Sequence, residues 1–428
     1  MSDLRNRLRT LDVLPQPDLW GEIEARATTG RTSSFSPAIP VLIMIGLLIA
    51  VIGSVGLFGG VLRPPVTPVN PSQSLRESPS ASALTNRPAQ GEWIATGPMM
   101  VPRSEGHTVT LLGDGRVLVA GGGSADGLTA SAELYVPEAG TWSLTGDMLE
   151  ARTHHTATLL PDGRVLVVGG GQNVTERVFA TAELYDPSTG LWTATASMAE
   201  PRQGHVATLL SDGRVLVAGG QQWDFQDGGT FDLASAELYD PITESWTPTS
   251  EMPHERDVST ATVLLDGRVL VVGALAQVYD PASAAWTATG SMDHPHGTHT
   301  ATLLPDGSVL VAGEWFAGLG RAAELYDPET NTWTRTADTI EMRAWSAGGP
   351  LADGRVLLAG AGDGGYGGSA TAEVYDPVSE TWSLTRNMLR AHGYTEGVLL
   401  ADGRFLVVGG YPSNTDPAAE TFVLRNRD

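Results

Sequence analysis

Seven Asp-Gly dipeptides sit between apolar runs, at Asp114-Gly115, Asp162-Gly163, Asp212-Gly213, Asp266-Gly267, Asp306-Gly307, Asp353-Gly354 and Asp402-Gly403. In each copy, as in "LLPDGRVLV" around Asp162, two apolar stretches too short for helices flank the pair. Asp-Gly in that setting is among the strongest hairpin signals, because the turn needs positive φ. The second stretch ends in glycines such as Gly169-Gly170 and Gly219-Gly220, where a chain turns sharply or passes close to another backbone. A loop of variable length follows, then "AELYDP" from Ala182, Ala236 and Ala323, with variants from Ala132, Ala276 and Ala372. Asp-Pro after a short strand starts a turn, and a Trp soon after opens another strand. Each copy therefore predicts four short antiparallel strands. The 51 glycines in 428 residues exceed average usage, as so many tight turns require.

The order of the pieces predicts how the copies close. Trp93, Trp142, Trp192, Trp246, Trp286, Trp333 and Trp382 recur at a mean interval of about 48 residues, a spacing found in blade-type repeats. Trp93 precedes the first Asp-Gly turn, whereas "AAETFVL" follows the last one with no further Trp. Six units are thus whole and one is split. Runs such as "ATLL" and "RVLVV" are apolar on both faces, so each unit is covered on either side by neighbours. The expected fold is all-β: a seven-bladed propeller whose last blade joins three C-terminal strands to one N-terminal strand around Trp93.

Segments such as "HTATLLPDGRVLVVGG" from His155 and "HTATLLPDGSVLVAG" from His299, followed by "AELYDP" and Trp, resemble the kelch repeat. They look most like the repeats in the central propeller of galactose oxidase-like proteins. The resemblance covers Trp93 to about Leu424. It implies a kelch propeller and raises two activities, copper-radical alcohol oxidation and sugar epimerisation. The copper-radical cofactor of that family is a Tyr crosslinked to a Cys beside copper, and this chain has no Cys. That chemistry is therefore not expected, and no cofactor is implied.

The N-terminal part reads differently. From Val41 to Leu62, "VLIMIGLLIAVIGSVGLFGGVL" holds no charge, long enough to cross a bilayer core of about 30 Å. Arg63-Pro64-Pro65 follows rather than a small-residue cleavage site, so the segment reads as an uncleaved signal-anchor. Arg5, Arg7, Arg9, Arg26 and Arg31 precede it, which places the N-terminus in the cytoplasm and the propeller outside. The expected organisation is a cytoplasmic leader (1–40), a transmembrane helix (41–62), a Pro/Ser-rich stalk (63–90) and the propeller (91–428). The leader carries helical apolar spacing at Leu4, Leu8 and Leu11, read as an amphipathic helix on the membrane or as a handle for a cytoplasmic partner. A net charge of −23 repels phosphate backbones and disfavours nucleic acid as a partner.

The working face follows from the connections. The "PDGR" and "YDP" turns are regular and share one rim; the second connections vary from "ALA" before Gln277 to "QQWDFQDGGTFDLAS" after Gly220, and share the other rim with the inter-blade loops. Variable loops on a rigid scaffold are where binding concentrates. The inter-blade loops carry Arg103, Arg152, Arg202, Arg256, Arg343 and Arg390, with His296 in the remaining one; Trp223, Phe225, Trp315, Trp345, Tyr366, His392 and Tyr411 lie nearby. Such a rim is suited to carboxylates or sugar rings. The other reading pairs each repeated Arg with a repeated acid to stitch neighbouring blades. A column of His107, His155, His205, Ser259, His299, Ser346 and Thr395 reads as hydrogen-bonding groups at the start of the inner strands rather than as a shared metal site. The cluster His294, His296 and His299 has metal-like spacing but no predicted carboxylate beside it. The chain thus reads as a membrane-anchored module recognising a protein or carbohydrate, with a carbohydrate-active enzyme as the alternative.

Overall fold

The computed structural model describes residues 91–424, apart from the short stretches 125–126, 173–176, 225–228, 255–259, 315–319, 362–367 and 411–418. The expected leader, transmembrane helix and stalk lie outside the described residues. So do Phe225, Arg256, Ser259, Trp315, Tyr366 and Tyr411. Among the described residues no helix is long and apolar enough to cross a membrane.

Seven four-stranded antiparallel sheets make the seven blades of the ring. In chain order from inner to outer strand, blade 1 runs Thr108–Leu111, Val117–Ala120, Ala132–Val136 and Thr141–Leu144; blades 2 to 6 repeat the plan from Thr156, Val206, Thr260, Thr300 and Ala347. Blade 7 takes Glu396–Leu399, Phe405–Val408 and Ala419–Leu424 from the C-terminal end and Gly91–Ala95 as its outer strand, with Trp93 opposite Phe422. The split closing blade is as the repeat order predicts.

Why seven copies are needed is visible in the core. The described residues form seven apolar clusters, and each lies between two blades rather than within one. Leu118, Ala120 and Leu134 of blade 1 pack on Val165, Val167 and Tyr185 of blade 2, and the last cluster joins Leu406 and Val408 of blade 7 to Val117 and Val119 of blade 1. A lone blade would leave both faces wet, so burial completes only when the ring closes.

The repeated Tyr and Trp make the same junction with polar atoms. Across the third and outer strands Tyr185 faces Trp192, ring centroids 4.9 Å apart, and Trp93 with Phe422 fills that place in blade 7 at 5.1 Å. The Tyr185 hydroxyl meets Thr145 Oγ1 of the preceding blade at 2.8 Å, and Trp192 Nε1 donates to Gly146 O at 2.8 Å. The seam between the chain ends is no exception: Trp142 Nε1 donates to Thr96 Oγ1 (3.1 Å) and Trp93 Nε1 to Arg386 O (3.0 Å).

Two local features refine the sequence reading. In the Asp-Gly hairpins only the glycine takes positive φ, +85° at Gly115 and +89° at Gly163, and Gly115 N donates to Leu112 O at 3.0 Å. The connection is therefore the longer type with a left-handed residue after the turn, not a two-residue loop. The long second connection of blade 3 forms a ribbon, Gln221–Asp224 paired with Gly229–Asp232, which carries Trp223 opposite Thr230.

Candidate functional site

The inter-blade loops and second connections share one rim, and four of its arginines prove to be structural. Arg103, Arg152, Arg202 and Arg343 are 0% exposed. Arg103 Nη1 donates to Gly121 O (2.6 Å) and Ser131 O (3.0 Å), and its Nη2 lies 3.3 Å from Glu133 Oε1. Arg152 repeats the arrangement with Gly169 O and Glu183, and Arg343 with Gly360 O and Glu373, both carboxylates at 2.6 Å. The same glutamates accept backbone N–H groups of the incoming loop, as Glu133 does from Met100 (2.6 Å) and Val101 (3.0 Å). Each Arg therefore ties the inter-blade loop to the third strand of the blade that follows. A guanidinium so enclosed is held by carbonyls and a carboxylate; one nitrogen of each has no hydrogen-bond partner (Nε of Arg103, Arg152 and Arg202, Nη2 of Arg343), and it is buried with the rest of the side chain, away from any ligand at the surface. The expectation of a ligand-gripping Arg ring is corrected for these four.

His296 and His392 are likewise buried and stand in the same place as the arginines. His296 contacts Gly313 O (3.2 Å) and Glu324 (3.3 Å); His392 contacts Gly409 O (2.7 Å) and Glu420 (3.3 Å). They too are removed from the binding rim. Arg390 is exposed and is not the equivalent of the buried arginines; His392 is. The partner acid, the Glu of "AELYDP", escaped the sequence reading although it recurs in six blades and is Gln277 in blade 4. The carboxylate missing beside His294 and His296 is Glu324, from blade 5's third strand.

The histidine column is a set of blade-to-blade pins. His155 Nε2 meets Thr108 Oγ1 (3.2 Å), His205 Nε2 meets Thr156 Oγ1 (2.8 Å), His299 Nε2 meets Thr260 Oγ1 (2.7 Å), and His107 Nε2 donates to Val408 O (3.3 Å) across the seam. Burial, helped by nearby cationic or imidazole groups, holds His107 at about 4, His205 and His299 at about 3, and His155 well below its ordinary value. In blades 1, 2 and 7 the glycine at the end of the second strand, Gly121, Gly169 or Gly409, makes room for the ring of His155, His205 or His107. A Cβ on Gly169 (φ +63°) would lie well inside van der Waals contact with Arg202 O and 2.8 Å from His205 Cε1. Gly169→Ala is expected to cost about 1–3 kcal/mol from backbone strain alone, with the clash added; a denaturation midpoint unchanged from the parent would refute this.

At the mouth of the central channel, on the loop-bearing rim, lies a cavity of about 600 Å³. Among the described residues, those that precede the inner strands there include five in the left-handed conformation, Gly106, His154, Gly204, Trp345 and Tyr394, with φ between +50° and +64°. Backbone hydrogen bonds run between them, His154 N to Gly106 O (3.1 Å), Gly204 N to His154 O (3.0 Å) and Trp345 N to Thr298 O (3.3 Å). Glycine takes this conformation freely, whereas a bulky side chain is strained in it. Trp345 and Tyr394, from neighbouring blades, stack with centroids 4.7 Å apart at 26°. Below them Glu396 lines the cavity. It replaces the Thr found at this register in blades 1, 2, 4 and 5 (Thr108, Thr156, Thr260, Thr300). Desolvation raises its carboxyl to about 7. The side chain is accessible along the channel yet walled in around it; the direction follows from that enclosure, and the accessibility limits its size.

A larger cavity, about 670 Å³, lies on the opposite rim between blades 4 and 5. Its carboxylates serve the turns: Asp266 pairs with Arg268 (2.6 Å), Asp306 accepts from Ser308, and Asp327 accepts from Glu329 N and Thr330. No aromatic ring lines it, so the axial mouth is the better candidate. Of the remaining rim residues, Trp223 sits partly buried on the blade 3 ribbon, and Trp345 is at the axial mouth.

A family model described as the Kelch motif matches residues 152–199 and 204–253, which are blades 2 and 3. The chain is thus a seven-bladed β-propeller carrying kelch motifs. It is similar to a solved structure described as a novel fungal alcohol oxidase with catalytic diversity among the AA5 family, in complex with copper. The TM-score is 0.63 at 17% identity, covering 78% of this chain and 76% of that one. This agrees with the resemblance read from the repeats, and at that identity it speaks for the fold. Solved chains that match number 1014, and a fold so widely shared assigns no chemistry. No curated protein matches the sequence. The donor set here does not fit a copper-radical centre. There is no Cys, the column histidines are spread over separate blades and pinned to Thr or carbonyl groups, and among the described residues no three His, Asp or Glu side chains converge as metal ligands.

Proposed function

We propose that this propeller is a membrane-anchored recognition module, held outside the cell by residues 41–62, that binds a protein or carbohydrate at the axial mouth and the loops around it. The observation that carries the reading is backbone strain. Three bulky residues, His154, Trp345 and Tyr394, occupy left-handed positions where other blades use glycine. Such strain, of order 1–3 kcal/mol per residue, persists where the surrounding structure over-determines it; the regular turns of the opposite rim hold Glu244, Ala284 and Glu380 in the same way, but among the described residues only at the axial mouth does it bring two aromatic rings together. Trp345 and Tyr394 supply a flat aromatic platform of the kind that anchors ligands.

The test is binding of the full-length chain to arrays of glycans, cell-wall fragments and peptides, beside a Trp345→Gly variant. Glycine is at ease at this φ, so relief of strain offsets the lost stacking and stability stays within about 1 kcal/mol of the parent. Affinity is expected to fall about tenfold or more, as for an aromatic anchor. Binding that survives in the variant would move the site to the variable loops around Trp223, and silence across the whole array would remove the recognition reading.

A further inference from the structure

The ionisable groups around the axial cavity include carboxyls and imidazoles but no guanidinium or ammonium. Those that line it are Glu105, Glu396 and the histidines His107, His154, His155, His205 and His299; no Arg is among them. The chain contains no Lys, and the nearest repeat arginines are spent on glutamates and carbonyls away from the lumen. His107, His155, His205 and His299 stay neutral at physiological pH because burial opposes their protonation, and burial also depresses His154. The cavity is therefore walled by neutral imidazoles, Thr hydroxyls and two carboxyl groups, with a stacked Trp–Tyr pair at its edge.

Glu396 stands out within that set. Among the described residues no N–H, hydroxyl or guanidinium donates to its carboxylate, whereas the AELYDP-type glutamates Glu133, Glu183, Glu237, Glu324, Glu373 and Glu420 each accept backbone hydrogen bonds. Its register in blades 1, 2 and 4 holds a Thr that pins the next blade's His. In blade 7 that task has passed to a backbone carbonyl, Val408 O, which receives His107 Nε2. The scaffold is thus complete without Glu396. Glu396 is open to the cavity that Trp345 and Tyr394 also line, and an aromatic face beside a carboxylate is the combination that holds an organic cation, by cation–π attraction and a charge-assisted hydrogen bond.

We infer that the axial mouth receives a cationic side chain of a protein partner, a guanidinium or ammonium group laid against the Trp345–Tyr394 stack and hydrogen-bonded to Glu396. The inference rests on the recognition reading above and names the ligand class for the same site. A protein is favoured as the source because the whole chain carries a net charge of −23, which draws in a basic surface from a distance.

The experiment titrates the full-length chain with the blocked tripeptide acetyl-Gly-Arg-Gly-amide, its lysine counterpart, and the citrulline peptide that keeps the shape of arginine without its charge. Glucosamine and N-acetylglucosamine serve as the amino-sugar arm. The expected result is binding of the arginine or lysine peptide at least about tenfold tighter than the citrulline peptide, weakened by salt because part of the attraction is Coulombic. Glu396→Gln should abolish that preference. Glu396→Thr restores the residue used in other blades, so it should fold at least as well as the parent while losing the cation, which separates a binding role from a structural one. Equal affinity for the arginine and citrulline peptides, no binding of either, a preference untouched by Glu396→Gln, or glucosamine outcompeting both cationic peptides would each overturn the inference. If an uncharged glycan binds, and that binding is lost in Trp345→Gly but not in Glu396→Gln, recognition at the mouth stands and only the cation falls.

Discussion

Glu373→Ala is expected to destabilise the propeller by about 3–5 kcal/mol, because it leaves a buried guanidinium without its counter-charge. Arg343 is 0% exposed and its Nε lies 2.6 Å from Glu373 Oε1. The same carboxylate also accepts Ile340 N at 2.7 Å, so the loop between blades 5 and 6 loses two anchors at once. A loss of this size is a large part of the roughly 5–15 kcal/mol by which domains are stable. Replacing both partners with apolar residues, Arg343→Met with Glu373→Leu, should cost far less than the single change, since no charge is then stranded. The surface pair Arg164–Glu244, 29% and 45% exposed, provides the contrast: its removal is expected to cost less than about 1 kcal/mol. Chemical denaturation of these three variants beside the parent decides the matter, and a double variant as unstable as Glu373→Ala would sink the explanation.

The second large effect is a loss of stability in acid well above the range where surface carboxylates protonate. His107, His155, His205 and His299 have folded-state values below the ordinary 6.5, at about 4 for His107 and about 3 for His205 and His299. Above 6.5 neither state holds the proton. As pH falls below it, the unfolded chain takes up protons that the folded one refuses, and stability drops until the folded values are reached. Each ring contributes a slope of up to about 1.4 kcal/mol per pH unit, and four rings act over the same interval. Glu396 acts in the opposite sense: its carboxyl is raised from 4.5 to about 7, so its share is present below 4.5 and lost as pH rises through 7. One carboxyl against four rings leaves a net loss on acidification. Denaturation midpoints measured from neutral pH downward should fall steeply, and His205→Gln should flatten the slope by about one ring's worth. A midpoint independent of pH across that interval would refute buried neutral imidazoles.

Much of the ring was legible because repetition amplifies weak signals. One Asp-Gly between apolar runs predicts a hairpin; seven in step with seven Trp predict a closed circle, and the position of Trp93 predicts the split blade. The site was less legible, for reasons that can be named. A repeated Arg looks alike whether it is buried or exposed, and its partner glutamate lies about thirty residues away on the third strand. A finer ruler was present in the sequence. Counting four residues from the buried Met99, Met148 and Met198 gives Arg103, Arg152 and Arg202, and the same count from Met388 gives His392 rather than Arg390. Glu396 was visible too, as the one carboxylate at a register that otherwise reads Thr, Val or Ala. The Trp345–Tyr394 stack was not, because only the ring brings together residues from two successive copies.

The seventh blade gives the ring a clasp, and a clasp has a mechanical meaning. Gly91–Ala95 is an edge strand with a single partner, Ala419–Leu424, riveted inward by Trp93 to Arg386 O. Any load transmitted through the residues before Gly91 falls first on those five pairs and on the hydrogen bonds of Trp93 and Thr96. When they yield, blade 7 sheds its outer strand and the seams on either side of it open, while blades 1 to 6 keep their hydrogen bonds. Under tension, therefore, this molecule has a designated point of failure, set by where its chain begins the circle.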